Sequence, residues 1–366
     1  MNKKLVAVAV AGLFAAPVAA LAQSSVTISG LLKGGFENHK YNNSAKSPAS
    51  QSGVVDDSSR IIFNVVEDLG GGLQAVGQLD ARWGLDTGAL AGTGNTHMGL
   101  QNRKTWGRLV FGRQDLHYFN TESNISDKAS LRANSVSLLA YAGGGAQAIA
   151  NATRTTNVIH YLSPNWGGFT MIAAYSSNPF AVEADIGSGI RRGRAWTLNP
   201  NMAGANWQIG YSYWTAKQDA GGNAIATGDQ RGDRLYGSYT WSGFKLGLAW
   251  DKSKIKGATN GTELSNRTAW SIPLSYTWGN HSVHFHYDKA RNDRSTAVDD
   301  SAKMWALAYA YDLSKRTSAA VTYARINNQV GGTYNFFTGG ALGVAVPAVA
   351  AGEDPRMWGV TLRHQF

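Results

Sequence analysis

The 366-residue sequence predicts an all-β fold, a single barrel of sixteen antiparallel strands closed across a membrane. Three observations carry that reading. Hydrophobic and polar residues alternate with period two along nearly the whole chain. The 12 Trp and 15 Tyr gather at the ends of the alternating segments, and 43 Gly accompany them. Connections switch between tight glycine turns and long polar loops, the pattern of a barrel with one short-turn rim and one long-loop rim.

The elements follow in order. Asn2, Lys3 and Lys4 form a positive start, Leu5 to Val18 an apolar stretch, and Ala20-Leu21-Ala22 a small-x-small site, so 1-22 reads as an export signal removed before folding. The apolar stretch is short for a membrane helix and contains Pro17. One domain, 23-366, remains, since no change of composition marks a linker. Alternation places strands at 25-37, 58-68, 73-83, 97-105, 108-114, 155-163, 168-177 and 193-201 in the first half. The second half continues with 206-217, 232-241, 244-253, 267-278, 281-291, 302-312, 317-327 and 356-366. Pro200 and Pro273 each remove a ladder donor, so a bulge or local irregularity is expected at both.

The last strand shows the alternation well. Trp358, Val360, Leu362, His364 and Phe366 share one face, while Gly359, Thr361, Arg363 and Gln365 share the other. The same division separates Phe244, Leu246, Leu248 and Trp250 from Lys245, Gly247, Ala249 and Asp251. A soluble sandwich alternates too, but aromatic residues at strand ends suit belts at two membrane interfaces. Tight turns at Leu69-Gly70-Gly71-Gly72, Trp241-Ser242-Gly243 and Trp278-Gly279-Asn280 define the short-turn rim, and 38-57, 218-231 and 328-355 the exposed loops. Lipid offers no hydrogen bonds, so the first strand must meet the last. A barrel of this size encloses water.

Composition narrows the function. The chain has no cysteine, which excludes disulfides and thiolate metal sites. Its net charge is +10, and without Lys3 and Lys4 the mature chain keeps 32 basic against 24 acidic groups, an excess of 8. Export makes nucleic acid an unsuitable partner, so the basic excess points to anionic solutes or membrane surfaces.

Several stretches now carry a family resemblance. Ser25-Val26-Thr27-Ile28-Ser29-Gly30 resembles the first strand of the trimeric general diffusion porins of Gram-negative bacteria, closest to the neisserial and β-proteobacterial branch. Ser59-Arg60 through Glu67-Asp68-Leu69-Gly70-Gly71-Gly72-Leu73 is similar to that family's second strand and first turn. Gly107-Arg108-Leu109-Val110-Phe111-Gly112-Arg113-Gln114 resembles its fifth strand, and Arg154, Asn157, Tyr161, Ser163, Pro164 and Gly168-Phe169 its sixth with the following turn. The resemblance implies an outer-membrane homotrimer of sixteen-stranded barrels, each narrowed by an infolded third loop over about 115-154. It also implies a water-filled channel for ions and small hydrophilic solutes, without cofactor or metal. Implied partners are outer-membrane lipid and lipopolysaccharide, and the barrel assembly machinery, which would read the terminal aromatic, Phe366.

Parity then assigns the lumen. Ile61, Phe63 and Val65 take the lipid face, so Arg60 faces the water, and the same count turns Lys33, Arg82 and Arg103 inward. Arg113 shares parity with Leu109 and Phe111 and would point outward unless a bulge near Gly112 re-aims it. The family's basic constriction wall corresponds to Arg60, Arg113 and Arg154. A further family arginine on the sixth strand is here His160, which places a group titrating near neutrality on that strand. Opposite the wall the third loop offers the acids Asp115, Glu122 and Asp127. The basic excess favours anions.

Other chemistry fits less well. His284, His286 and Asp288 share a strand face, but a polar barrel wall explains them without a metal. An outer-membrane hydrolase would need a nucleophile with a His and an orienting acid, and neither G-x-S-x-G nor H-E-x-x-H occurs. A substrate-selective porin for anionic small molecules is the nearer alternative, and a secreted β-sandwich adhesin the remote one.

Overall fold

The computed structural model describes residues 24–42, 50–117, 128–133, 154–179, 193–218, 228–257, 261–294, 298–336 and 348–366. The expected signal and most of the expected third loop, with Glu122 and Asp127, lie outside the described residues. The strand segments are β1 (Ser25–Asn42), β2 (Ser50–Asp56), β3 (Arg60–Gly70), β4 (Leu73–Trp83), β5 (Leu90–Asn102) and β6 (Gly107–Asp115). They continue with β7 (Arg154–Leu162), β8 (Phe169–Ser176), β9 (Gly193–Ala203), β10 (Trp207–Gln218), β11 (Asp229–Trp241) and β12 (Phe244–Lys256). The rest are β13 (Glu263–Trp278), β14 (His281–Asn292), β15 (Ala302–Asp312), β16 (Thr317–Asn328) and β17 (Asp354–Gln365).

All segments join one antiparallel sheet, and β1 pairs β17 from Leu31↔Gln365 to Asn42↔Asp354, which closes the barrel. On its other edge β1 pairs both β2, from Gly34↔Asp56 to Lys40↔Ser50, and β3, from Ser25↔Val66 to Leu31↔Arg60. Since β2 and β3 run end to end along the same neighbour, the seventeen segments make sixteen staves. Closure leaves no unpaired edge in lipid.

Side chains cause the break at 57–59. Asp56 accepts the backbone N–H of Ser58 at 2.8 Å, and Ser58 takes a positive φ of 75°. Ser59 then replaces a ladder rung with its hydroxyl, which accepts from the Lys33 N–H and donates to the Lys33 carbonyl, both at 3.0 Å.

The first strand runs past residue 37 to Asn42, and 50–56 is strand, so most of the stretch expected as loop 38–57 belongs to the wall. Outward residues there are mostly polar, Asn38, Lys40, Ser50 and Ser52 beside apolar Val54, with Asn38 donating to the Ser52 hydroxyl at 2.7 Å. A stave above the hydrocarbon needs no apolar face, so its alternation fades.

The prolines behave differently from a bulge. Pro200 pairs in register with Met171, and Pro273 with His286. On the other side the ladder skips from Gly210↔Asn201 to Tyr213↔Leu198, and from Leu246↔Leu274 to Ala249↔Ser271, with register kept. Each proline thus removes bonds to one neighbour only.

The outward face is apolar, with Val26, Leu79, Met98, Leu235 and Val321 exposed. Aromatic residues form its two belts. At the short-turn rim Trp241, Phe244, Tyr276 and Trp278 follow one another at centroid spacings of 5.5, 4.2 and 5.3 Å. Nearer the loops stand Trp250–Trp270 at 6.4 Å, Trp305–Tyr323 at 5.1 Å and Phe36–Trp358 at 5.9 Å. Phe366 closes the first belt, exchanging backbone hydrogen bonds with Gly30 at 3.0 and 3.2 Å. A Cβ on Gly30 would stand 2.3 Å from the Phe366 ring, so only glycine leaves that ring its seat.

Candidate functional site

The staves β3, β4, β6 and β7 bring charged side chains together on one patch of the inner wall. Arg60 lies opposite Leu31, which is buried on the lumen side, and opposite Arg82 on β4, so both arginines face inward as parity predicts. The charges acting on Arg60 are Arg82, Asp80, Asp115 and Arg154. Arg82 donates to Asp80 at 2.9 Å and to the Ser58 hydroxyl at 2.7 Å, and Arg154 stands 3.6 Å from Asp115. Three guanidinium groups therefore meet two carboxylates. Gly94 makes the patch possible, since a Cβ there would fall 1.7 Å from Asp80 Oδ2 and 2.8 Å from the Arg82 guanidinium.

Asp115 was expected on the loop facing this wall. It is instead the last residue of β6, its N–H bonded to the Asn95 side chain at 2.7 Å, and it belongs to the wall itself. Arg113 departs from the expected wall altogether. It pairs with Thr96 in unbroken register on β5 and donates to Thr93 at 2.9 Å, beside an outward cavity that Phe111 and Ile159 also line. A register shift does occur beside Gly112, but its extra residue sits on the partner strand, where Asn157 has a positive φ of 54°. The bulge re-aims β7 and leaves Arg113 on the outer face.

Other expected residues separate as well. Arg103 lies exposed in the turn after β5, donating to Gln101 at 3.1 Å, because the strand ends at Asn102 rather than 105. His160 is buried on the inner face of β7 with Arg108 and His97 beside it. Arg363 pairs across from Lys33 and faces inward with it.

Facing the patch, the chain beyond β6 enters the lumen. His117 is fully buried against β10, its ring 2.6 Å from the Ser212 hydroxyl. Residues 128–133 then appear against β1, β15 and the 57–59 break. Lys128 bonds Asp312 on β15 at 2.7 Å, and Ser130 bonds Glu37 at 2.6 Å. Arg132 reaches the same Glu37 at 2.8 Å, with both side chains 1% exposed. Lys33 pairs with Asp57 at 2.9 Å and caps the Ala129 carbonyl at 2.6 Å. The described residues 128–133 are thus anchored inside the barrel on β1 and the 57–59 break, as His117 is against β10.

A second inward segment was not anticipated. Tyr334 and Phe336, in the stretch expected as the exposed loop 328–355, are buried in one apolar cluster with Ala129, Ala133, Ile326 and Met357. Arg267 hydrogen-bonds Tyr334, and Arg234 pairs with Asp251 at 3.1 Å nearby. Arg234 alternates with outward Leu235, and Asp251 with Trp250, so parity could have found this pair.

His286 bonds Asp288 at 2.7 Å and meets the Ser271 hydroxyl at 3.3 Å, while His284 meets Ser282 at 3.0 Å. No group of three metal-ligating side chains occurs among the described residues.

Comparison with known proteins agrees with this architecture. A family profile described as Gram-negative porin matches residues 7–332. Outer membrane porin protein 32 of Delftia acidovorans is 30% identical over 100% of both chains. The major outer membrane protein P.IB of Neisseria gonorrhoeae is 26% identical, with 88% of this chain and 92% of that one covered. Among solved structures, an anion-selective porin from Comamonas acidovorans superposes with a TM-score of 0.76 at 24% identity, covering 94% of this chain and 100% of the other. The trimer form of OmpT from Vibrio cholerae gives 0.66 at 15% identity over 94% and 99%. A closed sixteen-stave barrel with an aromatic belt at each rim, matched over most of its length by that profile, belongs to the Gram-negative porin family and resides in the outer membrane.

Proposed function

We propose that the chain forms a general diffusion channel for small hydrophilic solutes that favours anions. The observation that carries the reading is the inner-wall patch, in which Arg60, Arg82 and Arg154 outnumber Asp80 and Asp115. An ion passing such a patch meets a net positive field within a low-dielectric wall, which raises the local anion concentration. The similar fold of the anion-selective porin from Comamonas acidovorans supports the same sign.

The channel works as a homotrimer in this reading. Strands β3–β6 contain only one residue of the Trp and Tyr types, Trp83, while the other staves carry the aromatic belts. An outer face without belts, bearing outward Arg113, suits protein contact better than lipid. In the same reading an assembly factor recognises Phe366 before it seats on Gly30 at the seam between β1 and β17.

Planar-bilayer recording tests the reading. A trimer gives conductance in groups of three equal steps, and a tenfold salt gradient gives a reversal potential of the sign for anions. Cation-signed potentials would overturn the selectivity, and isolated single steps the trimer.

A further inference from the structure

Between the Arg60 patch and the short-turn rim, the inner wall of β5–β7 carries a second group of basic side chains. Leu109 and Phe111 on β6 pair with exposed Leu100 and Met98, so Arg108, Val110 and Gly112 point inward. Register sets His97 of β5 beside Gly112, and His160 of β7 beside Val110. The two imidazoles thus lie diagonally across β6, with Arg108 one inward position nearer the rim. Gly99 and Gly112 present no side chain there, which leaves room beside both rings. His160 is 2% exposed, while His97 and Arg108 are half-buried and open onto the channel.

No acid balances this group among the described residues. The ionisable groups acting on His160 are Arg108 and His97, the one acting on His97 is Arg108, and the one acting on Arg108 is Arg103. The inward residues alongside, Gln74 and Gln78 on β4, Gln101 on β5 and Ala174 and Ser176 on β8, carry no charge. Asp80 and Asp115 stand higher on the wall and are engaged by Arg82 and Arg154. Three buried nitrogens, His97 Nδ1, His160 Nδ1 and Arg108 Nε, have no hydrogen-bond partner. Such groups favour any anion that can reach them.

We infer that Arg108, His97 and His160 form a binding site for a small divalent oxyanion such as sulfate, taken up together with a proton on the imidazole pair. Arg108 supplies a standing charge and a planar fork of donors. A histidine adds charge only when protonated, so Arg108 and one imidazolium together match a divalent ligand. Proton and oxyanion strengthen each other, because each offsets the charge that the other brings into the wall. A monovalent anion is matched by Arg108 alone and recruits no proton. The arginine of related chains at this place on the sixth strand holds its charge at every pH, whereas His160 makes occupancy follow pH. The site rests on the channel reading for access, and not on the anion preference.

Sulfate tests the site, since it keeps both charges between about pH 8 and about pH 5.5 while imidazole titrates. In the folded protein in detergent, labelled on histidine, sodium sulfate should shift the NMR ring signals of His97 and His160. Its affinity should rise roughly fivefold from the higher pH to the lower. Methanesulfonate, with a similar head and one charge, should show no such rise. In planar bilayers, sulfate block of chloride current should lose its pH dependence in His97→Gln with His160→Gln, and Arg108→Gln should weaken the block at least tenfold at both pH values. Arg60→Ala should keep the pH dependence while changing the reversal potential. Unmoved ring signals, a double variant with the parent's pH dependence, or methanesulfonate behaving as sulfate does would each overturn the proposal. Loss of the pH dependence in Arg60→Ala would place the site in the other patch and overturn it too. Ring shifts without any chloride current would support the site and remove the channel reading.

Discussion

Replacing Arg60 by Ala changes the wall patch from three cations against two carboxylates to two against two. A unit charge about 5 Å from a passing ion, at the dielectric of water, shifts that ion's energy by about 0.8 kcal/mol. Anions and cations shift in opposite directions, so their permeability ratio changes by about 1.6 kcal/mol, roughly fifteenfold in dilute salt. At about 0.1 M salt the Debye length of about 10 Å trims this to roughly fivefold. Reversal potentials of the reconstituted channel in a tenfold potassium chloride gradient measure the ratio directly. Arg113→Ala is the internal control, because Arg113 bonds Thr93 on the outer face and should leave the potential unchanged. The reasoning fails if Arg60→Ala matches the parent channel, or if Arg113→Ala shifts the potential as much as Arg60→Ala does.

Three further outcomes follow from the packing. Gly94→Val should displace the Asp80–Arg82 pair, since its Cβ would lie 1.7 Å from the Asp80 carboxylate; altered single-channel selectivity with an intact barrel is expected. Glu37→Gln removes the carboxylate charge that Arg132 meets at 2.8 Å, a cost of about 1.5–3 kcal/mol at that contact. The released segment 128–133 should then raise open-channel current noise. Gly30→Val meets the Phe366 ring at 2.3 Å and the Arg60 carbonyl at 2.6 Å, which overpacks the seam by about 1–3 kcal/mol. A smaller fraction of the purified chain should then migrate as folded barrel on unboiled gels.

The sixteen staves were legible wherever a strand crosses hydrocarbon, because there the outward side chains must be apolar and the alternation is enforced. Even 97-105 and 193-201 appear as β5 and β9, though β5 begins at Leu90 and ends at Asn102. Outside the hydrocarbon the constraint vanishes, which hid the upper staves at 38–42 and 50–56. Arg60, Arg82 and Lys33 were legible for the same reason, each being flanked by residues whose facing was fixed. Arg113 was not, since its direction depends on which strand holds the extra residue, and Asn157 gives no sign of that in the sequence. The inward turn of Tyr334 and Phe336 was illegible because no repeated pattern surrounds them; their partners Ile326 and Met357 lie on other staves.

The break at residues 57–59 divides one stave into an upper and a lower part, and the loop is fastened at the joint. Asp57 accepts the Leu131 N–H at 3.0 Å, Lys33 holds the Ala129 carbonyl and Glu37 bonds Ser130, so the anchorage reaches from the junction up to Glu37 and no further. Residues could be added to or removed from the hairpin of β1 and β2 above that point without changing the position of the plug below. The outside face of the cell could thus diversify at this hairpin under immune or viral pressure while permeability is inherited unchanged.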